Sequence, residues 1–229
     1  MSETASSETR GEWIFTPEGA AVHRATATAV IADLHLGYEW TRGGRGDQIP
    51  AHSLAEVSAR IDRMLKRIEI RRLVIAGDLV ESPRLCRSTA VDLARLFGRL
   101  ERLGIEVVAL PGNHDPRPAR GASTTLEVGG WTIAHGHEHV EASKTVTGHD
   151  HPKLEFAGAS ARCFLVGCDA IILPAFSDNA AGLNVAGPSV PPRWRGRGLR
   201  CLVGVGDEVL DFGPIDDLAT RIESLGRTA

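Results

Sequence analysis

Side chains that can bind metal ions follow short apolar segments at several points of the chain. The clearest case is the segment 107–110, which ends at Pro111-Gly112 and is followed by Asn113, His114 and Asp115. Further candidates follow segments 29–32, 73–76 and 131–134 or form a separate His-Asp-His cluster, namely Asp33, His35, Asp78, His135, His149 and His151. Ligands bind beyond the carboxyl ends of the strands in α/β sheets. The pattern therefore predicts one shared site.

The chemistry of these candidates favours a particular kind of metal centre. They offer carboxylate, imidazole and amide groups and no thiolate. Such ligands suit Mn²⁺, Fe or Zn²⁺ better than a soft metal or a structural cysteine site. The set is also too large for one tetrahedral ion, but it suits two ions that share a bridging carboxylate. We therefore expect two divalent ions, with Mn²⁺ as the leading candidate.

The elements that must position these residues can be predicted from the apolar pattern. In the first half, strands are predicted at 27–32, 72–76 and 105–110, and helical spacing predicts helices from Ser53 to Ile68 and over 88–103. This βαβαβ order indicates a parallel sheet.

The pattern changes after Arg120, where short strands predominate and indicate a second sheet. A short helix is predicted to start at Pro214. The polar, glycine-rich segment from Gly37 to Pro50 is predicted to be a loop, and the segment from Gly187 to Gly198 has the composition of a linker.

The composition is that of a soluble globular domain, with 42% apolar residues, 24% charged residues and a net charge of −3. Four cysteines without a Cys-x-x-Cys pair favour a reduced, cytoplasmic protein. No apolar segment reaches the ~18 residues of a membrane span. We expect a disordered tail over residues 1–11, a single domain over residues 12–229 and no membrane contact.

The ordered motifs Asp-x-His, Gly-Asp, Gly-Asn-His-Asp, His-Gly-His and Gly-His-x-His resemble the calcineurin-like metallophosphoesterase superfamily. Segments 32–37, 148–152, 162–165 and 171–176 resemble one subset, the ligase-associated DNA-damage-response phosphoesterases and the archaeal phosphoesterases related to the SbcD nuclease subunit. The resemblance implies a four-layer α/β/β/α sandwich of two mixed β-sheets. That fold agrees with the pattern of a βαβαβ half followed by a β-rich half.

The resemblance also implies roles for individual residues. The residues implied for one metal are Asp33, His35 and His151, those for the other are Asn113, His135 and His149, and Asp78 bridges the two. His114 is expected to face the scissile phosphate as general acid or transition-state stabiliser, with Asp115 orienting it. Among three neighbouring histidines, His135 is preferred because it follows the strand directly. His137 is expected beside it or at the substrate, and His139 in an exposed loop.

The substrate is less well defined by the sequence. Candidate phosphate contacts are Arg42, Arg45, Arg117, Arg120 and the segment 193–200 with Trp194, although such loops are usually solvated. The resemblance implies a DNA-repair role and a nuclease activity. A small-molecule phosphoesterase and a non-catalytic metal-bound scaffold remain alternatives. In a chain this short, we expect any DNA binding to come from loops, from a homodimer or from DNA-repair partner proteins.

Overall fold

A computed structural model of the chain describes residues 9–156, 158–188 and 190–226. Its first sheet contains five strands in sequence order: β1 (Trp13–Phe15), β2 (Ala21–His23), β3 (Thr28–Ile31), β4 (Arg72–Ala76) and β5 (Glu106–Leu110). The last three are parallel and the first two pairings are antiparallel. The sheet is therefore mixed, as predicted.

The second sheet takes its strands from the second half of the chain. In chain order, they are β6 (Thr125–Val128), β7 (Trp131–Ala134), β8 (Thr145–Thr147), β9 (Pro152–Phe156), β10 (Ala159–Val166), β11 (Ala170–Ile172), β12 (Leu183–Asn184), β13 (Arg200–Val205) and β14 (Glu208–Pro214). Their order across the sheet is β12-β9-β10-β11-β8-β7-β6, and the hairpin of β13 and β14 attaches to β10. Strand β8 runs parallel to β7 and β11, whereas β10 is antiparallel to its neighbours.

The α-helices with defined bounds in the described residues are α1 (Tyr38–Gly43), α2 (Ser53–Arg67), α3 (Arg87–Arg102) and α4 (Ile215–Gly226), and Pro192–Trp194 form a 3-10 helix. Helices α2 and α3 bury Ile61 and Leu96 against the outer face of the first sheet. Helix α4 buries Leu218 against the outer face of the second sheet. Between the sheets lies a core that includes Trp131 and Phe164. The four-layer α/β/β/α sandwich is thus confirmed.

The central strands form because their residues are apolar on both faces. In β4, Val74 packs into the core between the sheets, while Leu73 and Ile75 pack under helices α2 and α3. Alternate residues of a strand point to opposite faces. A strand covered on both faces therefore needs a continuous apolar sequence. The first polar residues therefore come directly after the carboxyl end of the strand, where the candidate ligands lie.

The two sheets are joined beside the candidate site. Ala32, just after β3, pairs with Ala175, and the Ser177 amide donates to the Asp33 carbonyl at 3.1 Å. Arg60 of helix α2 holds the same segment, because its guanidinium donates to both carboxylate oxygens of Asp178 at 2.9 Å. The position of Asp33 is therefore fixed by both sheets.

Three details differ from the sequence predictions. Helix α1 forms inside the predicted loop, where Glu39 is buried and accepts hydrogen bonds from the Ser53 amide and hydroxyl. Trp194 is buried, so it cannot stack on a nucleobase as its neighbouring arginines had suggested. The predicted tail lies mostly in residues 1–8, outside the described residues, but residues 9–11 are helical and Thr9 donates a buried hydrogen bond to the Gly167 carbonyl. The folded region thus starts before residue 12.

None of the helices in the described ranges is long and apolar enough to span a membrane.

Candidate metal centre

The candidate ligands share an unusual backbone conformation. Within the described residues, the non-glycine residues with positive φ are Ala27, Asp33, His35, Asp78, His149 and His151. All but Ala27 are candidate ligands. The left-handed region costs a non-glycine residue about 1–3 kcal/mol and persists only where surrounding structure enforces it. The strand-end turns therefore hold these side chains in strained backbone positions that direct them to one place.

Asp33, His35 and His151 form the first ligand group. Each contributes a ligand atom, and these atoms lie within 4.8 Å of one another. Asp33 Oδ2 accepts the His149 amide at 2.9 Å, and its buried Oδ1 has no hydrogen-bond partner. His151 Nδ1 donates to the Ala181 carbonyl at 2.7 Å, which leaves the lone pair on Nε2, 3.3 Å from Asp33 Oδ1. Two buried acceptors thus face each other with no hydrogen between them.

His135 and His149, with Asn113 beside them, make up the second ligand group, and both histidines have ligand atoms within 4.8 Å of one from Asp78. His135 Nδ1 lies 3.1 Å from the Ala76 carbonyl, so it is the donor and Nε2 carries the lone pair. That Nε2 lies 3.0 Å from Asn113 Oδ1, and the His149 ring centroid lies 5.0 Å from that of His135. A backbone carbonyl behind a histidine is the usual way a metal-binding imidazole is oriented.

Asp78 lies between the two groups. Its Oδ1 accepts the His114 amide at 2.8 Å. Its Oδ2 is 3.3 Å from His135 Nε2 in the second group and 4.0 Å from His35 Nε2 in the first. Burial raises the pKa of Asp78, but protonated His135, which donates to it through Nε2, and the His114 amide outweigh burial and lower it to about 2. Asp78 is therefore an anion placed to contact cations on both sides.

These observations test whether the residues fit divalent ions. Among the described residues, the buried atoms without hydrogen-bond partners include Asp33 Oδ1, His151 Nε2 and His35 Nε2. A buried acceptor without a donor is destabilising, and facing acceptors need a cation between them. Oxygen and imidazole donors match Mn²⁺, Fe and Zn²⁺. The residues therefore fit two such ions, and the assignment of each ligand remains a prediction.

Metal binding is expected to depend on pH through two of these histidines. Burial lowers the pKa values of His135 and His151, but Asp78 and Asp33 respectively outweigh it, so both pKa values are raised. A metal must displace these protons, so Mn²⁺ affinity should increase as pH rises through the raised pKa values, about tenfold per pH unit for each proton displaced. Calorimetric titration from about pH 5.5 to 8.5 measures this. A pH-independent affinity would contradict it.

His114 lies beside the first ligand group, next to His35. Its Nδ1 donates to the Glu81 carbonyl at 2.9 Å, and its ring lies 5.1 Å, edge to face, from that of His35. Nε2 is therefore the nitrogen left to meet a substrate. This arrangement is compatible with the predicted role of a general acid.

Asp115 does not contact the His114 ring, contrary to the expectation that it orients it. Its Oδ1 accepts the Val80 amide at 3.1 Å and its Oδ2 accepts the Gly112 amide at 2.8 Å. The carboxylate thus holds two strand-end turns together. The Glu81 carbonyl orients the ring instead.

Glu81 is a residue of the site that the sequence analysis missed. Its carboxylate Oε2 lies 3.0 Å from His35 Nδ1, and it forms a group with His35 and His114 whose ligand atoms lie within 4.8 Å of one another. A carboxylate behind a metal-binding histidine fixes its ring orientation and raises its basicity. The available signal was an acidic residue three positions after Asp78, at the same strand end.

Gly112 illustrates how closely the turns pack around the ligands. A Cβ atom at Gly112 would lie 2.2 Å from Asp78 Oδ1, whereas nothing lies within 4 Å of one at Gly43. Gly112→Ala should displace the Asp78 carboxylate and weaken metal binding by about 10–100-fold, the usual effect of disturbing the surroundings of a ligand. Gly43→Ala is the matched control, with unchanged metal content. Elemental analysis after dialysis measures both, and equal metal content in the two variants would contradict the prediction.

The sequence that forms this site matches the model of a known protein family. The model for calcineurin-like phosphoesterases matches residues 27–151, more than half of the chain, from β3 to the last candidate ligand. The chain belongs to the calcineurin-like phosphoesterase family. The resemblance of its motifs is thereby confirmed, and hydrolysis of phosphoric esters is the activity that this membership supports.

Two similar proteins extend this finding. The DNA double-strand break repair protein Mre11 of Methanopyrus kandleri is 29% identical over 100 residues, which are 44% of this chain and 21% of Mre11. The crystal structure of Pseudomonas putida nuclease MPE has a TM-score of 0.66 and 21% identity, and the match covers 88% of this chain and 96% of that one. The structural likeness shows the fold, and the chain spans about a fifth of the length of Mre11.

Two grooves flank the centre of this phosphoesterase. The first, of about 550 Å³, is lined by His137, His149, Arg193 and Arg197. His137 is exposed, and its ring centroid lies 5.1 Å from that of His135. His137 thus lies next to a candidate ligand, and its contact with substrate remains a prediction. His139 is exposed, as expected.

The second groove, of about 350 Å³, is lined by Arg45, Arg84 and Trp40, together with Leu36, which follows the candidate ligand His35. Arg45 is thus near the site, whereas Arg42 is engaged with Asp47 at 2.5 Å. The structure places Arg117 in an exposed loop after the Gly-Asn-His-Asp motif. These residues remain predicted substrate contacts.

Proposed function

We propose that this chain is a dinuclear metal-dependent phosphodiesterase that acts on nucleic acid. The observation that carries the proposal is the position of Asp78, whose Oδ2 lies 3.3 Å from His135 and 4.0 Å from His35, between two groups of facing acceptor atoms. One carboxylate between two cation positions is the arrangement required for a pair of metals that share a bridging ligand.

The candidate residues would have separate roles in phosphoryl transfer, either in metal binding or in proton transfer. Two divalent ions would supply charge neutralisation for the phosphoryl oxygens and make hydroxide available at neutral pH. Asp33, His35 and His151 would hold one, Asn113, His135 and His149 the other. His114, through Nε2, would donate a proton to the leaving oxygen, a contribution of ~10²–10⁴-fold in general acid catalysis. The Glu81 carbonyl keeps its Nδ1 protonated and its ring directed.

Nucleic acid is the proposed substrate for two reasons. The names of the similar proteins describe a DNA repair protein and a nuclease. A groove that is also lined by Leu36, the neighbour of His35, contains Arg45 and Arg84. A strand that continues beyond the scissile phosphate would need such positively charged room. The proposal includes Mn²⁺ as the metal, a cytoplasmic location, and a second copy or DNA-repair proteins as partners.

Three substrates test the proposal in the presence of Mn²⁺. They are bis-p-nitrophenyl phosphate, p-nitrophenyl phosphate and a single-stranded DNA oligonucleotide. Cleavage of the diester and of the DNA supports it. Cleavage of nitrophenyl esters without DNA would favour a small-molecule phosphoesterase instead, and two bound metals without turnover of any substrate would leave a scaffold.

A further inference from the structure

A third cavity, of about 340 Å³, lies beside the first ligand group and has no role in the proposed chemistry. Its lining includes His151, Lys153, Ser160, Arg162, Ser177 and Asp178. We refer to it as the Arg162 cavity. His151 belongs both to this lining and to the first ligand group, where its Nε2 lies 3.3 Å from Asp33 Oδ1. The cavity therefore begins within one imidazole ring of a proposed metal position.

Arg162 lines this cavity and carries a donor atom that has no acceptor among the described residues. Its Nη2 lies 2.7 Å from Asp178 Oδ1, but its Nη1 is buried and has no hydrogen-bond partner within the described residues. A buried guanidinium nitrogen without an acceptor is costly. The acceptor that pairs with Arg162, Asp178, is already shared with Arg60, which donates to both of its oxygens at 2.9 Å. One carboxylate is thus divided between two guanidinium groups.

Other donors converge on the same space. Lys153 also lines the cavity, and its ammonium group pairs with Glu155 at 2.8 Å. Ser177 Oγ accepts the Asn179 amide at 3.1 Å, so its hydroxyl hydrogen is left to donate. Ser160 adds a second hydroxyl at the exposed edge. The cavity therefore offers a guanidinium, an ammonium and hydroxyl groups, a set that matches the oxygens of a phosphate.

The larger groove beside His149 is a poorer anion site, although it contains two arginines. Arg193 pairs with Asp150, and Arg197 pairs with Asp169 at 3.0 Å. Each arginine there has its own carboxylate. An incoming anion would have to displace one of them, whereas in the Arg162 cavity Nη1 has no acceptor to lose.

We propose that the Arg162 cavity binds a second phosphate of the substrate, the one on the nucleotide next to the scissile phosphodiester. This inference rests on the proposed function and adds a recognition site to it. The volume is within the range of small-molecule sites, ~300–1,000 Å³, and it accommodates a phosphate with part of its sugar. Binding there would favour a nucleic acid strand over an isolated diester.

Two pairs of small substrates test the proposal. One pair is thymidine 5′-(p-nitrophenyl phosphate) with and without a 3′-phosphate, and the other is thymidine 3′-(p-nitrophenyl phosphate) with and without a 5′-phosphate. We expect the second phosphate to raise kcat/KM about tenfold in one of the two pairs, the value of one charge-assisted contact. Lys153→Gln and Arg162→Gln should each remove most of this advantage.

Control variants distinguish recognition of the second phosphate from the general effect of removing a positive charge. Arg63→Gln on the exposed face of helix α2 removes the same charge away from the cavity, and it should keep the advantage. Metal content is measured in every variant, since Arg162 is connected through Asp178 to the segment that carries the acceptor for His151. Lys153→Gln provides the second, independent variant, because its ammonium pairs with Glu155 at 2.8 Å rather than with that segment.

Each outcome has a definite meaning. An advantage in the wild type that both cavity variants lose supports the proposal. If the parent esters are cleaved but the second phosphate gives no advantage, or the variants retain it, the cavity proposal is overturned and the proposed function stands. If inorganic phosphate changes turnover of the parent ester through Arg162 while the second phosphate gives no advantage, the cavity binds free phosphate and the proposal is overturned. Absence of any diester cleavage overturns both.

Discussion

Asp78→Asn is expected to remove both metal ions together. Asp78 Oδ2 lies 3.3 Å from His135 Nε2 and 4.0 Å from His35 Nε2, so one substitution takes a negative charge from two cation positions. The amide nitrogen would also place a donor against the imidazoles. Metal content should fall for both ions, and kcat/KM should decrease by at least ~10²–10³-fold, as for the loss of a preorganised electrostatic group.

Elemental analysis and diester kinetics measure this result. Asp62→Asn is the matched control, because Asp62 pairs with Arg99 between the outer helices, away from the site. It should retain full metal content and activity. If Asp78→Asn still holds two ions after dialysis, Asp78 is not the bridging ligand.

His114→Ala should have the opposite signature, with normal metal content and a large loss of turnover. His114 Nδ1 is bonded to the Glu81 carbonyl, and its ring is no member of either ligand group. Removing a general acid costs ~10²–10⁴-fold when the leaving group needs a proton. The loss should therefore be large on DNA and much smaller on p-nitrophenyl esters, whose leaving group is a stable anion.

The comparison of leaving groups distinguishes this role from a structural one. A misfolded site would lose activity on both substrates equally. His139→Ala, in the exposed loop, is the histidine control and should leave both rates unchanged. Equal losses on the two substrates, or full DNA cleavage by His114→Ala, would contradict proton donation by His114.

Much of the fold could be predicted because its signals are local. In β4, a continuous apolar sequence ends at Gly77-Asp78, and this shows both a buried strand and the position of its polar end. Helix α2 shows its buried face through the spacing of Val57, Ile61 and Met64. Helix α1 was missed because its six residues have no such spacing. It is stabilised by Glu39, which is buried against Ser53.

The roles within the site were harder to predict because they depend on partners distant in sequence. The family resemblance implied that Asp115 orients His114, but its carboxylate accepts a hydrogen bond from the amide of Val80 at another strand end. Glu81 contacts His35, which no local pattern reveals. Sequence spacing indicates which residues share a strand end. It does not indicate which atoms of neighbouring turns meet.

The left-handed backbone conformation of the candidate ligands should lower the thermal stability of the metal-free protein. Glycine enters this conformation more readily than histidine, and asparagine can stabilise it through local hydrogen bonds of its short side chain. His149 and His151 have φ values of 70° and 47°, so His149→Asn or His151→Gly would relax the turn. In the metal-free state, these inactive variants should unfold at a higher temperature than the native chain. The native residues would then lower the thermal stability of the metal-free protein, because they hold the ligands in the conformation that binds metal.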